Sequence, residues 1–428
     1  MIFNIYPIFP YLSVLKYFYY IGTIHAVSRR RLLMAHFIID DSDQKFCDSV
    51  CLNLENRGLV WILLSDERVQ SPDIKDKYLI TSCKSENFDL KSKTFVEYLR
   101  AHKFVKAFIF SSKSDVVLFK SELNGAIKEL HVPEQELNDP TLRNFYISLF
   151  IEQFSYNTVN LPCCDPETAN LVSLLTRLAA SNASVLINGP TGTGKEVVSK
   201  LLHSKSNRKD GPFIAVNCAA IPENMLESML FGHEKGSFTG AMHSNDGLFR
   251  AAHSGTLLLD EISEMPMGLQ SKLLRVLQEK VVTPIGSSKE IPVDLRVIAT
   301  TNRDMTIEIQ ENRFREDLFY RLNVFPISTR ALNLRTADIP AISAHMLTRN
   351  TSQSGDMPKA LSKSALNCLI EYDWPGNVRE LDNVLQRASI LTNSNTINEC
   401  DILFDGDLTV KAPNTVEALS SKFQAHVG

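Results

Sequence analysis

Three groups of charged residues in this sequence have the types and the spacing that phosphate chemistry requires. A lysine ends the glycine-rich run 189–195, and small residues let a backbone turn closely around an anion. Asp260 and Glu261 end a run of apolar residues, so a carboxylate pair stands at the end of a predicted buried strand. Arg315 and Arg321 supply cations further along. Together these groups are typical of a site that binds and hydrolyses a nucleoside triphosphate.

The glycine-rich run is predicted to be a phosphate-binding loop. The spacing Gly189-x4-Gly194-Lys195 matches the P-loop pattern, in which backbone N–H groups hold the phosphates and the lysine reaches the β- and γ-phosphates. A short strand at 185–187 precedes the loop, and a helix begins near Gly194. Glu196 stands where the pattern has Ser or Thr for Mg²⁺, and a glycine-rich turn without a ligand is the alternative. We assign nucleotide contacts to Gly189, Pro190, Thr191, Gly192, Thr193, Gly194, Lys195 and Glu196.

The carboxylates have separate expected roles. Asp260 is placed to bind Mg²⁺, directly or through water, and Glu261 to orient and deprotonate the water that attacks the γ-phosphate. Asn302 follows a predicted strand at 295–300 and offers an uncharged amide near the phosphate. A strand that ends in Asp-Glu also serves as a simple helix start, so the pair gains its meaning from the phosphate loop in the same domain.

Three arginines are candidates for reading or stabilising the phosphates. Arg315 and Arg321 are six residues apart on a predicted helix, where a surface charge pair is the alternative. A guanidinium delivered from a neighbouring subunit would stabilise the charge that develops on the leaving phosphate. Arg379, in the segment 374–381, is expected at the start of a lid helix, from which it would report the nucleotide state.

A loop between these segments has no place in the nucleotide chemistry. Two glycines bracket Phe238 and Thr239, with His233 nearby. A turn that packs Phe238 into the core is one reading, but Gly, Ser and Thr provide little core around it. A tip that presents Phe238 and Thr239 to a partner fits the composition better. We call this stretch the coupling loop; its residues are Gly236, Ser237, Phe238, Thr239, Gly240 and Ala241.

The coupling loop resembles the GAFTGA loop of bacterial enhancer-binding proteins, the AAA+ ATPases that activate sigma-54 RNA polymerase. The segments 216–220 and 374–381, the Asp260–Glu261 pair and the arginine segment are similar to that family as well. Glu196 is the family's usual residue after the P-loop lysine. The departure is Ser237, where alanine is usual, and the resemblance covers about residues 165–392.

The resemblance implies a fold and a function. The fold is an AAA+ P-loop ATPase, with an α/β subdomain and a helical lid, and each active site lies between subunits of a ring of about six. Asn217 would hold Glu261 off until the partner engages, and residues 281–293 would form a second loop facing sigma-54. ATP hydrolysis with Mg²⁺ would drive the coupling loop against the sigma-54 RNA polymerase holoenzyme, so that closed promoter complexes open.

The front of the chain, residues 34–154, is predicted to be a receiver-like α/β domain. Apolar runs alternate with amphipathic stretches, which favours a parallel sheet covered by helices. Strands are predicted near 37–39, 59–64, 78–81 and 105–110, and helices near 43–56, 91–102 and 141–154. Asp40 and Asp41 would hold Mg²⁺ as in receivers, or form a solvated strand end or helix cap. Because Ser111, Ser112 and Lys113 follow the strand at 105–110, we expect a degenerate receiver that is not phosphorylated.

This front domain and the segment Asn323-Val-Phe-Pro are similar to flagellar regulators of the FleQ, FlrA and LafK type. Some of those proteins sense cyclic di-GMP through an arginine in a Leu-Phe-Arg-Ser segment. Residues 157–160 stand at that place here and contain no arginine, so the ligand is not expected.

The remaining boundaries follow from composition. We expect an N-terminal extension at 1–33, a linker at 155–168, the AAA+ domain at 169–392 with its lid from about 335, and a short tail at 393–428. The tail holds five acidic and two basic residues and no recognition helix rich in Arg or Lys, so direct DNA binding is not expected. Either the chain is truncated or it acts without its own enhancer contact, and the ring would be a homo-oligomer or a mixed ring with a DNA-binding paralogue.

Composition predicts a cytoplasmic chain, and a membrane anchor within residues 1–33 is the alternative. Residues 2–27 are apolar, but Lys16 and two prolines interrupt them, and no uncharged run reaches the roughly 18 residues of a spanning helix. Eight cysteines without a CxxC pair suit reduced thiols. Two rival functions stay open: a general AAA+ unfoldase or chelatase subunit, against which the coupling loop argues, and a non-catalytic adaptor that modulates a full-length paralogue.

Overall fold

The computed structural model of the chain describes residues 36–70, 76–90, 92–155, 158–238, 242–352 and 357–404. The predicted N-terminal extension lies outside the described residues, as does most of the predicted tail. The α-helices, in chain order, are α1 Gln44–Asn56, α2 Lys93–Ala101, α3 Pro140–Ser155, α4 Pro166–Ala179, α5 Lys195–Ser204, α6 Glu223–Phe231, α7 Leu248–Ala251, α8 Met267–Glu279, α9 Met305–Gln310, α10 Glu316–Leu322, α11 Ile339–Ser352, α12 Lys363–Glu371 and α13 Asn377–Leu391.

The strands form two larger sheets and two short two-stranded pairs. They are β1 His36–Ile39, β2 Trp61–Leu63, β3 Lys77–Ser82, β4 Phe104–Ser111, β5 Lys113–Glu122, β6 Ile127–Pro133, β7 Val185–Asn188, β8 Phe213–Asn217, β9 Thr256–Asp260, β10 Val281–Val282, β11 Ile291–Pro292, β12 Arg296–Thr301, β13 Phe325–Ser328, β14 Ala360–Leu361 and β15 Thr396–Ile397.

The first sheet has the strand order β2-β1-β3-β4-β6-β5, with β1 parallel to both β2 and β3. The order of its first four strands is that of flavodoxin-like and receiver folds, as the sequence predicted. Strands β5 and β6 were not predicted. Most residues of β5 are exposed, so it lacks the apolar alternation by which a half-buried strand is identified from sequence.

Asp40 ends β1 and is buried, with an exposed fraction of 2%. Its carboxylate accepts hydrogen bonds from Thr81 Oγ1 at 2.6 Å, Asn87 Nδ2 at 2.8 Å and Ser42 Oγ at 2.9 Å, and also from Ser85. Burial would raise the pKa of Asp40, but the bonds from Ser85, Thr81 and Ser42 lower it. These donors satisfy the Asp40 carboxylate in the place of a cation. Through them Asp40 holds together the chain segments at this sheet edge.

The strand beside β1 also bears on phosphorylation. It is β3, which ends in Thr81 and Ser82. The degenerate receiver was predicted instead from the residues that follow the strand at 105–110. Ser82 Oγ donates to Asp43 at 2.7 Å. Hydroxyl groups therefore stand at the sheet edge where an acceptor carboxylate would be needed, and the absence of phosphorylation stays our prediction.

The described chain divides into two compact units that alternate along the sequence. One contains described residues within 36–47, 60–109 and 121–128, and the other those within 48–59, 110–120 and 129–404. The second unit contains the five-stranded sheet β13-β7-β12-β9-β8, in which every neighbouring pair is parallel. Carboxyl ends of parallel strands meet at one edge, which is where this fold class binds ligands.

Alternate residues of the central strands of this sheet enter two separate cores. Leu257 and Leu259 of β9 pack with Phe231 and Phe249 on one face. Leu258, between them, packs on the other face among residues of β7, α4 and α5. Burial on both faces fits a parallel sheet covered by helices on each side, and explains the continuous apolar run before Asp260.

The segment that was predicted to be a linker is largely buried. Asn160, Leu161 and Cys163 are at most 8% exposed, and Asp165 caps helix α4 by accepting from the N–H groups of residues 167 and 168. The linker was predicted from its prolines and its lack of long apolar runs, yet Leu161 and Cys163 join a core of the five-stranded sheet. None of the eight cysteines, all of which lie within the described residues, forms a disulfide. None of the described helices is long and apolar enough to cross a bilayer.

Candidate active site

Three neighbouring strands bring the predicted catalytic residues to one edge of the parallel sheet. Strand β12 lies between β7, which leads into the glycine-rich loop, and β9, which ends at Asp260. The N–H of Gly189 donates to the carbonyl of Thr301 at 3.2 Å, so the loop begins against the end of β12. Asn302 directly follows β12, the strand between the loop strand β7 and the carboxylate strand β9.

The nucleotide loop, residues 189–196, has the backbone that its glycines were expected to permit. Gly192 and Gly194 have φ values of 80° and 98°, in the left-handed region, and helix α5 begins at Lys195. A Cβ at Gly192 would overlap the carbonyl oxygen of Gly376. The N-terminal end of α5 thus faces the loop, where unpaired N–H groups and the helix dipole favour an anion.

Lys195 is turned back onto its own loop. Its Nζ donates to the carbonyls of Gly189 at 2.7 Å and Pro190 at 3.0 Å. Burial lowers the pKa of Lys195, and Asp260 and Glu261 act in the opposite direction. A phosphate that entered the loop would replace two neutral carbonyls with a charged acceptor, which forms the stronger kind of hydrogen bond with an ammonium group.

Both oxygens of the Asp260 carboxylate are held by neighbouring side chains. Thr300 Oγ1 donates to Oδ1, and Asn217 Nδ2 donates to Oδ2 at 3.2 Å. Each oxygen keeps a second lone pair for a cation or its bound water. In the described part of the chain, no three metal-binding side chains cluster. A magnesium ion held by one or two carboxylates and substrate phosphates does not require such a cluster, so these residues fit it.

Glu261 has a strained backbone. Its φ and ψ are 52° and 51°, a left-handed conformation that costs a non-glycine residue about 1 kcal/mol. The Thr300 hydroxyl, which also binds Asp260, accepts from the Glu261 N–H at 3.2 Å. This turn lets the chain present two successive carboxylates after one strand, and strain of this kind is concentrated at functional sites.

Asn217 and Asn302 contact different parts of the site. Asn217 bonds Asp260, and its Oδ1 accepts from the N–H groups of residues 219 and 220. Within the described part of the chain its side chain makes no hydrogen bond to Glu261, so its expected switching role remains a prediction. Asn302 Nδ2 donates to Thr191 Oγ1 of the nucleotide loop at 3.0 Å, so its amide lies at the loop, and its contact with a phosphate remains a prediction.

Arg379 lies in the first turn of lid helix α13 and approaches the nucleotide loop. Its Cβ would be 3.3 Å from a Cβ placed on Gly192. The proximity of this guanidinium also contributes to the lowered pKa of Lys195. The structure therefore brings Arg379 to the loop.

Arg315 and Arg321 are not both on a helix, contrary to the sequence prediction. Arg315 is the residue that precedes α10, and only Arg321 lies within it. Arg315 Nη1 donates to Ser271 Oγ at 2.9 Å and Nη2 pairs with Asp317 at 2.8 Å, while Arg321 Nη2 donates to the carbonyl of Leu277 at 3.0 Å. Both guanidinium groups thus lie on helix α8, and both side chains keep contact with solvent.

The base of the coupling loop is fastened to the second loop, 281–293, which forms the hairpin β10–β11. His233 and Asn245 exchange backbone hydrogen bonds of 2.9 Å, and these close the base. Glu234 N donates to the carbonyl of Ile285 at 3.0 Å. A displacement of either loop would therefore be transmitted to the other.

Phe238 is 45% exposed, and its ring meets that of His233 edge to face at 4.9 Å between centroids. Ser237 packs against Gly286 of the second loop, and its buried hydroxyl has no hydrogen-bond partner among the described residues. Phe238 is therefore not a core residue. Thr239, Gly240 and Ala241, the other predicted contacts, lie outside the described residues.

Several residues of the site were missed from the sequence. The Thr300 hydroxyl donates to the Asp260 carboxylate and accepts from the Glu261 backbone N–H. Thr329 Oγ1 lies 2.7 Å from Thr193 Oγ1, below the loop. Asn377 and Arg335 reach the loop from the lid. The only signal for them was position, since Thr300 lies at the end of β12, Thr329 follows β13 directly, and Asn377 precedes Arg379 by two residues.

Two family models match the chain. The sigma-54 interaction domain matches residues 163–328, and the AAA+ ATPase lid domain matches residues 333–409. The first match contains the nucleotide loop, both carboxylates, the coupling loop and the two arginines of the α10 segment. The second begins next to Arg335 and contains Arg379.

Bacterial regulators share this part of the sequence. The response regulator protein FleR of Pseudomonas aeruginosa is 52% identical over 238 residues, which are 56% of this chain and 50% of FleR. The transcriptional regulatory protein FlbD of Caulobacter vibrioides is 46% identical over 262 residues, 61% of this chain and 58% of FlbD. The chain thus spans about half of the length of these relatives.

A solved structure resembles the chain over most of its length. NtrX from Brucella abortus, in complex with ATP, superposes with a TM-score of 0.54 at 25% identity, covering 91% of this chain and 90% of that one. The likeness extends across both the front domain and the nucleotide-binding domain.

Proposed function

Because the chain belongs to the sigma-54-dependent activators through its interaction and lid domains, we propose that it hydrolyses ATP to remodel sigma-54 RNA polymerase. Closed promoter complexes would open as a result. The observation that carries this proposal is the joint placement of Lys195, Asp260 and Glu261 at one sheet edge, with an exposed Phe238 in the coupling loop of the same domain.

ATP is the proposed nucleotide. The left-handed glycines of the nucleotide loop, Lys195 and the start of α5 form an anion site, and the relative NtrX is known with ATP bound. Asp260 would hold Mg²⁺ together with the phosphates, and the ion would neutralise charge on the phosphate oxygens. Asn302 would contact the terminal phosphate from its position beside Thr191.

Glu261 would act as the general base. Its strained turn places its carboxylate directly after the residue that holds the cation, so a water in line with the terminal phosphate would lie within its reach. Lys195 would leave the carbonyls of Gly189 and Pro190 to follow the γ-phosphate. The protein groups here would position the reactants and polarise the phosphate. Phosphoryl transfer requires little covalent participation from the protein.

We place the active site at a seam between subunits of a ring of about six, or of a mixed ring with a paralogue. Arg315 and Arg321 lie on α8 in their own protomer and have only exposed or surface partners. Each could therefore exchange those partners for a phosphate of the adjoining subunit. Flagellar promoters are the proposed target, on the strength of the front-domain resemblance.

The test is open-complex formation by sigma-54 polymerase and ATP with the full-length chain. Phe238→Ala and Thr239→Ala should abolish opening while ATP hydrolysis falls less than about threefold, because neither residue contacts the nucleotide. Ile390→Ala, which truncates an 81% exposed apolar residue on the lid, is the matched control and should behave as wild type.

Two results would contradict the proposal. If opening and hydrolysis were lost together in the Phe238 and Thr239 variants, the loop would not be a dedicated coupling element. If unfolded protein stimulated hydrolysis and sigma-54 did not, the chain would be a general remodelling ATPase.

A further inference from the structure

Three consecutive carbonyl groups of the nucleotide loop accept hydrogen bonds from the lid. Asn377 Nδ2 donates to the carbonyl of Thr191 at 3.0 Å, and the N–H of Val378 donates to that of Gly192 at 3.0 Å. Arg335 Nη2 donates to the carbonyl of Thr193 at 2.7 Å. The donors come from two separate lid segments, so this contact is a built surface and not one helix end.

Peptide geometry gives these bonds a consequence for phosphate binding. In a planar trans peptide the C=O of one residue and the N–H of the next point in opposite directions. Holding the carbonyls of residues 191–193 toward the lid therefore turns the N–H groups of Gly192, Thr193 and Gly194 away from it. Those N–H groups are the ones that a phosphate-binding loop offers to its anion.

The two side-chain donors are themselves fixed. Asn377 is 4% exposed with φ of 54°, and its Oδ1 accepts from the Leu332 N–H at 2.8 Å. Arg335 is 6% exposed, and its Nη1 lies 3.8 Å from Asp338. Donors whose own positions are determined can impose one orientation on the loop, whereas mobile side chains would follow it.

Asp338 links Arg335 to the segment that leads into α4. It is fully buried and accepts from the N–H groups of Cys164 and Asp165 and from Thr168 Oγ1, each at 2.7 Å. One lid carboxylate thus contacts both the arginine that holds the loop and the start of α4. Arg335 and Asp338 therefore connect the lid to the nucleotide loop and to the segment that leads into α4.

We propose that Arg335 and Asn377 are positioning residues for nucleotide binding, which hold the loop N–H groups in their phosphate-binding orientation. The proposal rests on the proposed ATPase function. It makes affinity for the phosphates depend on the place of the lid, because a lid that moved would release the three carbonyls. A purely structural role would instead hold the lid in place without altering the loop.

The experiment measures binding of a fluorescent ATP analogue and steady-state hydrolysis with the full-length chain. Arg335→Met should raise the dissociation constant and the KM by the same factor of about ten, since only a fraction of loops would be competent. Asn377→Gly removes the amide while keeping a residue that adopts positive φ, and should have an effect of the same direction. For both variants kcat should change less than about threefold, because Glu261 is untouched.

Matched variants separate positioning from folding. Arg349→Met removes a lid arginine that pairs with Asp382 at the surface, 2.6 Å away, and should leave binding unchanged. Arg335→Lys keeps a donor and a charge and should recover most of the affinity; it also supplies the test if the methionine variant fails to fold. A loss of thermal stability with a dissociation constant within about twofold of wild type would overturn the proposal.

Different results would refute the proposed function and the positioning role. A wild-type chain that bound no analogue would refute the proposed function itself. A wild-type chain that bound it, beside Arg335 and Asn377 variants that bound it equally well, would refute only the positioning role.

Discussion

The side-chain amide of Asn217 donates a hydrogen bond of 3.2 Å to the Asp260 carboxylate. The backbone N–H of the adjacent Glu261 donates to the Thr300 hydroxyl instead. Asn217 ends β8 and Asp260 ends β9, so the contact joins two neighbouring strands at the site. An influence of Asn217 on hydrolysis would then reach Glu261 through Asp260.

Asn217→Ala should make hydrolysis insensitive to the partner. The change frees one oxygen of Asp260 and removes the acceptor for two backbone N–H groups at 219 and 220. We expect the rates with and without sigma-54 to become equal, measured as phosphate release. Retained stimulation would show that the switch does not pass through this amide.

Glu261→Gln should lower kcat by a factor of about 10² to 10⁴ while ATP binding persists, because a neutral amide cannot accept the proton of the attacking water. Glu264→Gln is the control. That residue follows the same strand but pairs with Arg303 at 2.5 Å, away from the proposed water, and should reduce kcat only slightly. Equal losses in the two variants would contradict the assignment of Glu261 as base.

Mixing two inactive variants should restore part of the activity. Lys195→Ala loses the nucleotide site, and Arg321→Ala keeps it but lacks the proposed seam guanidinium. In randomly mixed rings about a quarter of the seams combine an intact lysine with an intact arginine. We expect hydrolysis to reappear on mixing, measured against each variant alone. No recovery would place Arg321 in its own subunit's site.

Ser237→Ala should preserve coupling. The Ser237 hydroxyl is buried without a partner among the described residues, so its removal relieves a desolvation cost of roughly 1–3 kcal/mol. We expect open-complex yield at or above that of wild type and an equal or higher melting temperature. A clear loss of open complexes would show that the hydroxyl has acquired a specific role in this chain.

The buried pair Arg57–Glu152 should give the chain a dependence on acid. Glu152 is fully buried and also accepts from His345 Nδ1 at 2.8 Å. Burial alone would raise the pKa of Glu152, but Arg57 and His345 lower it below its ordinary value of 4.5. Its contribution to stability is therefore present above the unfolded-state pKa and lost as pH falls through the folded-state value.

Glu152→Gln should reduce the free energy of unfolding by about 3–5 kcal/mol at pH 7, since Arg57 would remain buried without its counter-ion. The variant should also lose less stability than wild type as the pH falls below 4.5 toward the folded-state pKa of Glu152, as urea unfolding at a series of pH values would show. Glu167→Gln removes a carboxylate that is 70% exposed and is the control. Parallel pH profiles for wild type and Glu152→Gln would refute the linkage.

Most strands and helices around the site were predictable because their apolar residues follow regular periods. The run before Asp260 and the strand before Gly189 are buried on both faces, and helices α1, α2 and α3 lie within two residues of their predicted bounds. Strand β5 was missed because its residues are mostly exposed. Arg315 was predicted to lie on a helix, but the helix begins one residue later, at Glu316. Helix ends are set by capping contacts that periodicity does not reveal.

The sequence alone determined the chemistry at the site, because spacing within one segment fixes which groups share a turn: the glycines with Lys195, and Asp260 with Glu261. Only the tertiary structure decided which separate segments meet. Thr300 and Asn217 both donate to the Asp260 carboxylate, and Arg335 and Asn377 hold the nucleotide loop. These contacts join residues 40 to 186 positions apart, and such pairings depend on the order of strands and the packing of the lid, which no local pattern encodes.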